Sequence, residues 1–175
     1  YPRAQIRAGI VHLGLGAFHR AHQAMYTDRL LAIGERDWGI VGTGVASSAI
    51  KTALAPQDGL YLLAERGAGR ERLRVIGSII EVLGGNEDAK TLLARMSAAS
   101  TRIVSLTVTE KGYYLDPASG ELRMADAAIA ADLAHPEASS SFPGLFFETN
   151  KRKKTDAIPP FTVLSCDNLP HNGRL

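Results

Sequence analysis

The chain has 175 residues, 45% of them apolar and 22% charged, with a net charge of +2 and one cysteine, Cys166. That length and composition fit one ordinary globular domain and exclude a disordered chain. The small net charge argues against a nucleic-acid partner, and no apolar run approaches the ~18 residues of a membrane span.

A lone cysteine excludes an intrachain disulfide framework and agrees with a reducing, cytoplasmic compartment. The opening Tyr1-Pro2-Arg3 carries neither a signal-peptide pattern nor an initiator methionine. The last residues, Asn172-Gly173-Arg174-Leu175, come soon after a strand signal. Both ends lead us to expect a piece of a longer chain, truncated at its C-terminal end.

Gly9 to Leu13 predicts a short buried strand, which Gly14-Leu15-Gly16 breaks. Ala21, Ala24, Met25, Leu31 and Ala32 give an apolar side to a helix over roughly residues 19–33, stopped at Gly34. Trp38 to Gly44 is a second apolar strand. Ser47 or Ser48 then caps a helix to about Leu54, with Pro56 beyond it. Tyr61 to Glu65 and Leu73 to Val82 read as strands, with a turn at Gly67 and Gly69 between them. Glu87 to Ser97 reads as a helix. Arg102 to Thr109 is the strongest strand signal in the chain. A turn-rich loop at Asp116 to Gly120 precedes helices over Ile129 to Leu133 and Pro143 to Lys154, and Phe161 to Cys166 is a final buried strand.

Strands thus alternate with helices. The expectation is an α/β fold, a mostly parallel sheet with helices on both faces, as one domain over residues 1–175. Such sheets bind ligands outside the carboxyl ends of their strands. Chemistry is therefore sought in Gly14 to Arg20, Val45 to Lys51, Glu110 to Tyr113 and Asp167 to Gly173.

In Gly14-Leu15-Gly16-Ala17-Phe18-His19, Gly14 can make a tight turn and Gly16 can let a pyrophosphate approach the backbone. The amides that open the following helix would hold phosphate oxygens, and Arg20 would add a charged contact. Candidate cofactor residues are therefore Gly14, Gly16, Ala17, Phe18, His19 and Arg20. A full fingerprint has a third glycine where His19 stands, and G-x-G alone also suits an ordinary strand-to-helix turn. The acid expected near the end of the second strand is missing from Val45 to Lys51, and Asp37 lies at the wrong end of that strand. Ser47 and Lys51 are left as possible contacts to a ribose or a 2′-phosphate, or as a cap and a solvated lysine. The choice between NAD and NADP stays open.

Asn168, at the end of the last strand, can donate to a carbonyl oxygen that gains negative charge during hydride transfer; it also suits a plain loop. Thr109 and Glu110 are candidates for the cofactor, Lys111 and Asp167 for the substrate, with a solvated turn as the alternative for Glu110 and Lys111. His19 and His22 lie one helical turn apart without a third ligand, so no metal is expected. His171 reads as a loop residue and Cys166 as packing. Ser48-Ala49-Ile50-Lys51 matches S-x-x-K but lacks the companion K-T-G motif. Lys151-Arg152-Lys153-Lys154, at a helix end, is expected to be solvated.

Three runs together resemble the polyol and hexuronate dehydrogenases, the family of mannitol 2-dehydrogenase and fructuronate reductase. They are Gly14 to Gln23 (GLGAFHRAHQ), Ser105 to Tyr113 (SLTVTEKGY) and Ser165 to Gly173 (SCDNLPHNG). Gln57 to Tyr61 and Asp132 to Pro136 are similar too. The resemblance covers nearly the whole chain and implies a Rossmann-like domain of an NAD- or NADP-linked secondary alcohol dehydrogenase. Such an enzyme interconverts a sugar alcohol with a ketose, or a hexonate with a keto-uronate. It implies that Asn168 matches the first of the family's substrate-holding asparagines. The family's catalytic lysine lies in a mostly helical C-terminal domain, which this chain lacks, so Lys111 is not given that role. Where the family often has an acidic pair after the second strand, this sequence has Ser48-Ala49. The rival readings are a non-catalytic dinucleotide-binding module and a purely structural one.

Overall fold

The computed structural model describes residues 1–44 and 48–174; Ser47 lies outside them. In chain order the elements are β1 (Ala8–Leu13), α1 (Ala17–Ala21), α2 (Gln23–Ala32), β2 (Gly39–Thr43), α3 (Ala49–Leu54), β3 (Tyr61–Gly67), β4 (Arg70–Ile76), β5 (Ile79–Leu83), α4 (Ala89–Ser97), β6 (Ile103–Leu106), α5 (Ala127–Ala134), α6 (Phe142–Thr155) and β7 (Thr162–Ser165). Five strands form a parallel sheet in the order β5-β2-β1-β6-β7, while β3 and β4 pair as an antiparallel hairpin. The chain builds outward from β1 to β2 to β5, then returns to the other side of β1 with β6 and β7. That reversal beside β1 makes a topological switch point, where a crevice opens at the carboxyl ends of the strands.

Side-chain alternation along β1 splits the core in two. Val11 and Leu13 pack with Leu92, Leu93 and Met96 of α4 and Leu145 of α6. Ile10 packs on the opposite face with Ala24 and Met25 of α2, Leu54 of α3 and Ile76 of β4. The α/β class, the parallel sheet and the cover on both faces agree with expectation.

Four local expectations are corrected. The first helix begins two residues early and breaks at His22, whose backbone (φ −118°, ψ −86°) is not helical. The single strand expected over Leu73 to Val82 is two strands of different sheets, parted at Gly77-Ser78. The strand expected to reach Thr109 ends at Leu106, and Thr109 itself takes a positive φ of 65°, outside the extended region. The supposedly buried β7 is an edge strand, with Val163 and Leu164 exposed.

A fifth correction concerns Lys153, which is 2% exposed rather than solvated. It follows Leu145 and Thr149 at helical spacing on the inner side of α6, and its Nζ donates to the carbonyls of Ala98 and Pro159, each at 3.1 Å. Burial pulls its pKa below the usual lysine value. Lys153→Met would strip two carbonyls of their donor. The expected cost is about 2 kcal/mol, read as a lower urea midpoint. An unchanged midpoint would mean that relief from burying the cation outweighs the lost bonds.

Candidate functional site

The turn after β1 stands at the switch point. Gly14 has φ 97°, and the amides of Gly14 and Leu15 both donate to the Thr43 carbonyl of β2, each at 2.9 Å. From the other side, Thr107 Oγ1 donates to the Gly14 carbonyl at 2.7 Å. The turn is thereby sewn to both neighbours of β1. A Cβ at Gly14 would stand 2.1 Å from the Thr107 carbonyl oxygen, which only glycine avoids. Gly16 differs: it is exposed, its φ is −87°, and the nearest atom to an added Cβ is 3.7 Å away. Open space there admits a ligand against the backbone, and the first amides of α1 lack intrahelical acceptors.

Beneath the turn lies a polar pillar that sequence reading missed. His12 of β1 is fully buried; its Nδ1 meets Ser105 Oγ at 2.8 Å, and Ser105 Oγ donates to Gln23 Oε1 at 2.9 Å. His12 Nε2 lies 3.1 Å from the Gly14 carbonyl and 3.0 Å from Thr107 Oγ1. His19 is 1% exposed and stacks on His12 with centroids 3.5 Å apart, and neither of its ring nitrogens has a well-formed hydrogen bond. Burial, opposed by the Gly14 carbonyl, pulls the His12 pKa down to about 4. Burial first, then His12, takes His19 down to about 2, with Gln23 opposing only in part. Both rings are therefore neutral near pH 7. His19 fills the place of the fingerprint's third glycine, and a ring-on-ring contact sets the spacing of α1 against the sheet. Its side chain cannot reach a ligand; only its amide can. The one sequence signal for this pillar was a histidine inside the apolar run of β1.

Phe18 is exposed and stacks on His22, so His19 and His22 point to different partners. Among the described residues no group of three potential ligands could hold a metal ion. The Arg20 guanidinium turns back to donate to the Leu15 carbonyl at 3.0 Å.

The loops after β6 and β7 meet at Asp167. Its carboxylate accepts from the amides of Val108 (3.2 Å) and Thr109 (3.0 Å) and from the Tyr113 hydroxyl (3.0 Å). The Tyr113 oxygen is also 2.7 Å from Ser165 Oγ. Thr109, Glu110, Lys111 and Asn168 are exposed around this junction.

At the end of β2, Lys51 is not a free cation: its Nζ donates to Asp88 at 2.6 Å and Glu87 at 3.2 Å. These partners raise the Lys51 pKa, and Lys51 lowers that of Asp88. Asp37 sits just before β2, paired with Arg7 at 2.6 Å. Ser48 precedes α3 without a side-chain cap bond.

A doubly wound parallel sheet, with a positive-φ glycine turn sewn in at its switch point and an open backbone beside it, defines a dinucleotide-binding domain of the Rossmann class. The family model for the mannitol dehydrogenase Rossmann domain matches residues 8–175, and the chain belongs to that family. It is 43% identical over its whole length to a mannitol 2-dehydrogenase of Cereibacter sphaeroides, covering 37% of that protein. It is 41% identical, again over its whole length, to the D-mannonate oxidoreductase of Escherichia coli K12, also covering 37%. Among solved structures, the Pseudomonas fluorescens mannitol 2-dehydrogenase in ternary complex with NAD and D-mannitol matches 99% of the chain. The TM-score is 0.92 at 44% identity, over 36% of that protein. The chain thus spans a little over a third of the length of these relatives. No described helix is long and apolar enough to cross a membrane.

Proposed function

We propose that residues 1–175 are the dinucleotide-binding domain of an NAD(P)-dependent dehydrogenase. It interconverts a sugar alcohol or hexonate with the corresponding ketose or keto-uronate. The carrying observation is the glycine turn: fixed by three hydrogen bonds yet open at Gly16, in a chain so similar to a mannitol 2-dehydrogenase solved with NAD and mannitol. The missing two-thirds of such a protein is the partner that supplies the proton-transferring lysine. A cytoplasmic location belongs to the same reading.

A bound nicotinamide supplies the hydride acceptor or donor. This chain supplies the cradle. Gly14, Gly16 and the amides of Ala17, Phe18 and His19 receive the pyrophosphate. Thr109 and Glu110 border the coenzyme on the β6 side. Asn168 donates to the substrate oxygen as charge develops on it, and Lys111 reaches toward substrate from the neighbouring loop. We further propose NAD over NADP. Two carboxylates, Glu87 and Asp88, answer the single charge of Lys51, leaving a net negative cluster near the end of β2 that repels a 2′-phosphate.

Calorimetric titration of the chain tests this. NADH is expected to bind more tightly than NADPH. Gly16→Val should weaken NADH at least tenfold with little change in melting temperature, since the fold has room for the side chain. A folded wild-type chain that binds neither nucleotide would overturn the reading.

A further inference from the structure

Thr109 is a non-glycine residue at φ 65°, ψ 172°, a backbone state that costs roughly 1–3 kcal/mol and persists only where its surroundings impose it. What imposes it here is visible. The two oxygens of Asp167 take the consecutive amides of Val108 and Thr109, and the Tyr113 hydroxyl, from the far end of the same loop, closes on Oδ2. The clasp is anchored on its own side. The Asp167 amide donates to Ser165 Oγ at 3.4 Å, and Asn172 Nδ2 donates to the Asp167 carbonyl at 2.8 Å. One carboxylate therefore dictates the shape of residues 108–113 and joins them to the residue before Asn168.

Three of the roughly four acceptor sites of the carboxylate are taken by backbone and phenol, which favours a role in holding the loop over one in gripping substrate. We propose that Asp167 is a positioning residue. It holds the strained Thr109 backbone so that the loop after β6 and the Asn168 loop after β7 shape the nicotinamide half of the crevice. This rests on the dinucleotide reading above. In a doubly wound domain the first half, β1 and β2, takes the adenosine and pyrophosphate, and the second half takes the other nucleoside. Disturbing Asp167 should be felt only by the second.

The test compares NADH with ADP-ribose, which lacks nicotinamide, on the wild-type chain and on Asp167→Asn. The asparagine keeps the size but turns an NH2 toward a backbone N–H. The expected result is a roughly tenfold weaker NADH with ADP-ribose unchanged. Amide exchange at Val108 and Thr109 should also accelerate at least tenfold. If Asp167→Asn does not fold, Tyr113→Phe, which removes a single bond of the clasp, should weaken NADH two- to threefold and spare ADP-ribose. Equal losses for both ligands, or none for either, would overturn the positioning role. A wild-type chain that binds neither ligand refutes the dinucleotide reading and this role with it. The exchange measurement still decides whether the clasp exists, because unchanged protection in Asp167→Asn would rule it out.

Discussion

Gly14→Ala is expected to cost about 4 kcal/mol of folding stability, summing a left-handed backbone forced on a side chain with a close backbone overlap. The overlap is severe because the Cβ would lie 2.1 Å from the carbonyl oxygen of Thr107, and neither partner is a flexible side-chain tip. Relief requires β1 and the start of the β6 loop to part. That would pull the Thr107 hydroxyl from the Gly14 carbonyl and strain the paired bonds to Thr43. Against a typical domain stability of about 5–15 kcal/mol, the variant should unfold at a far lower urea concentration and lose NADH binding even where still folded. The contrast with Gly16→Val is diagnostic. Two glycines of one turn should fail differently, Gly14 through the fold and Gly16 through the ligand. Wild-type stability in Gly14→Ala would show that the turn does not press on β6 as described.

The fold was largely legible because its determinants are local. Apolar runs such as Ile10-Val11 and Ile103-Val104, spaced by helical patterns and punctuated by glycine, set a parallel alternation, and the rule that ligands sit past strand ends singled out the loops that follow β1, β6 and β7. Leu73 to Val82 misled because Gly77-Ser78 is a small interruption in a continuous β-prone run. Only packing shows that Ile76 and Ile79 belong to different sheets. Lys153 misled because three basic neighbours outweighed its spacing from Leu145 and Thr149. The site was less legible because its organising contacts are long-range. His12 finds Ser105 and Thr107 across more than ninety residues of sequence, and Asp167 finds Thr109 across 58. No local pattern announces that a carboxylate will bind backbone amides rather than a substrate.

The buried imidazole pair makes stability fall in mild acid. A histidine unfolds to a pKa near 6.5, whereas His12 and His19 are held at about 4 and about 2. Below pH 6.5 the unfolded chain takes up protons that the folded chain refuses, so the stability these groups permit is whole above that pH and drains away as pH falls. Each should cost about 2 kcal/mol between pH 7 and pH 5, roughly 4 kcal/mol together, in a window above the titration of ordinary carboxylates. The charges that face the pair do not cancel this. Arg20 lowers the pKa of His19 further, and Asp167 only partly offsets the burial of His12. His19→Phe keeps a ring against His12 and removes one titration, so its urea midpoint should fall about half as steeply over the same interval. Parallel curves for the two proteins would show that His19 charges freely in the folded state.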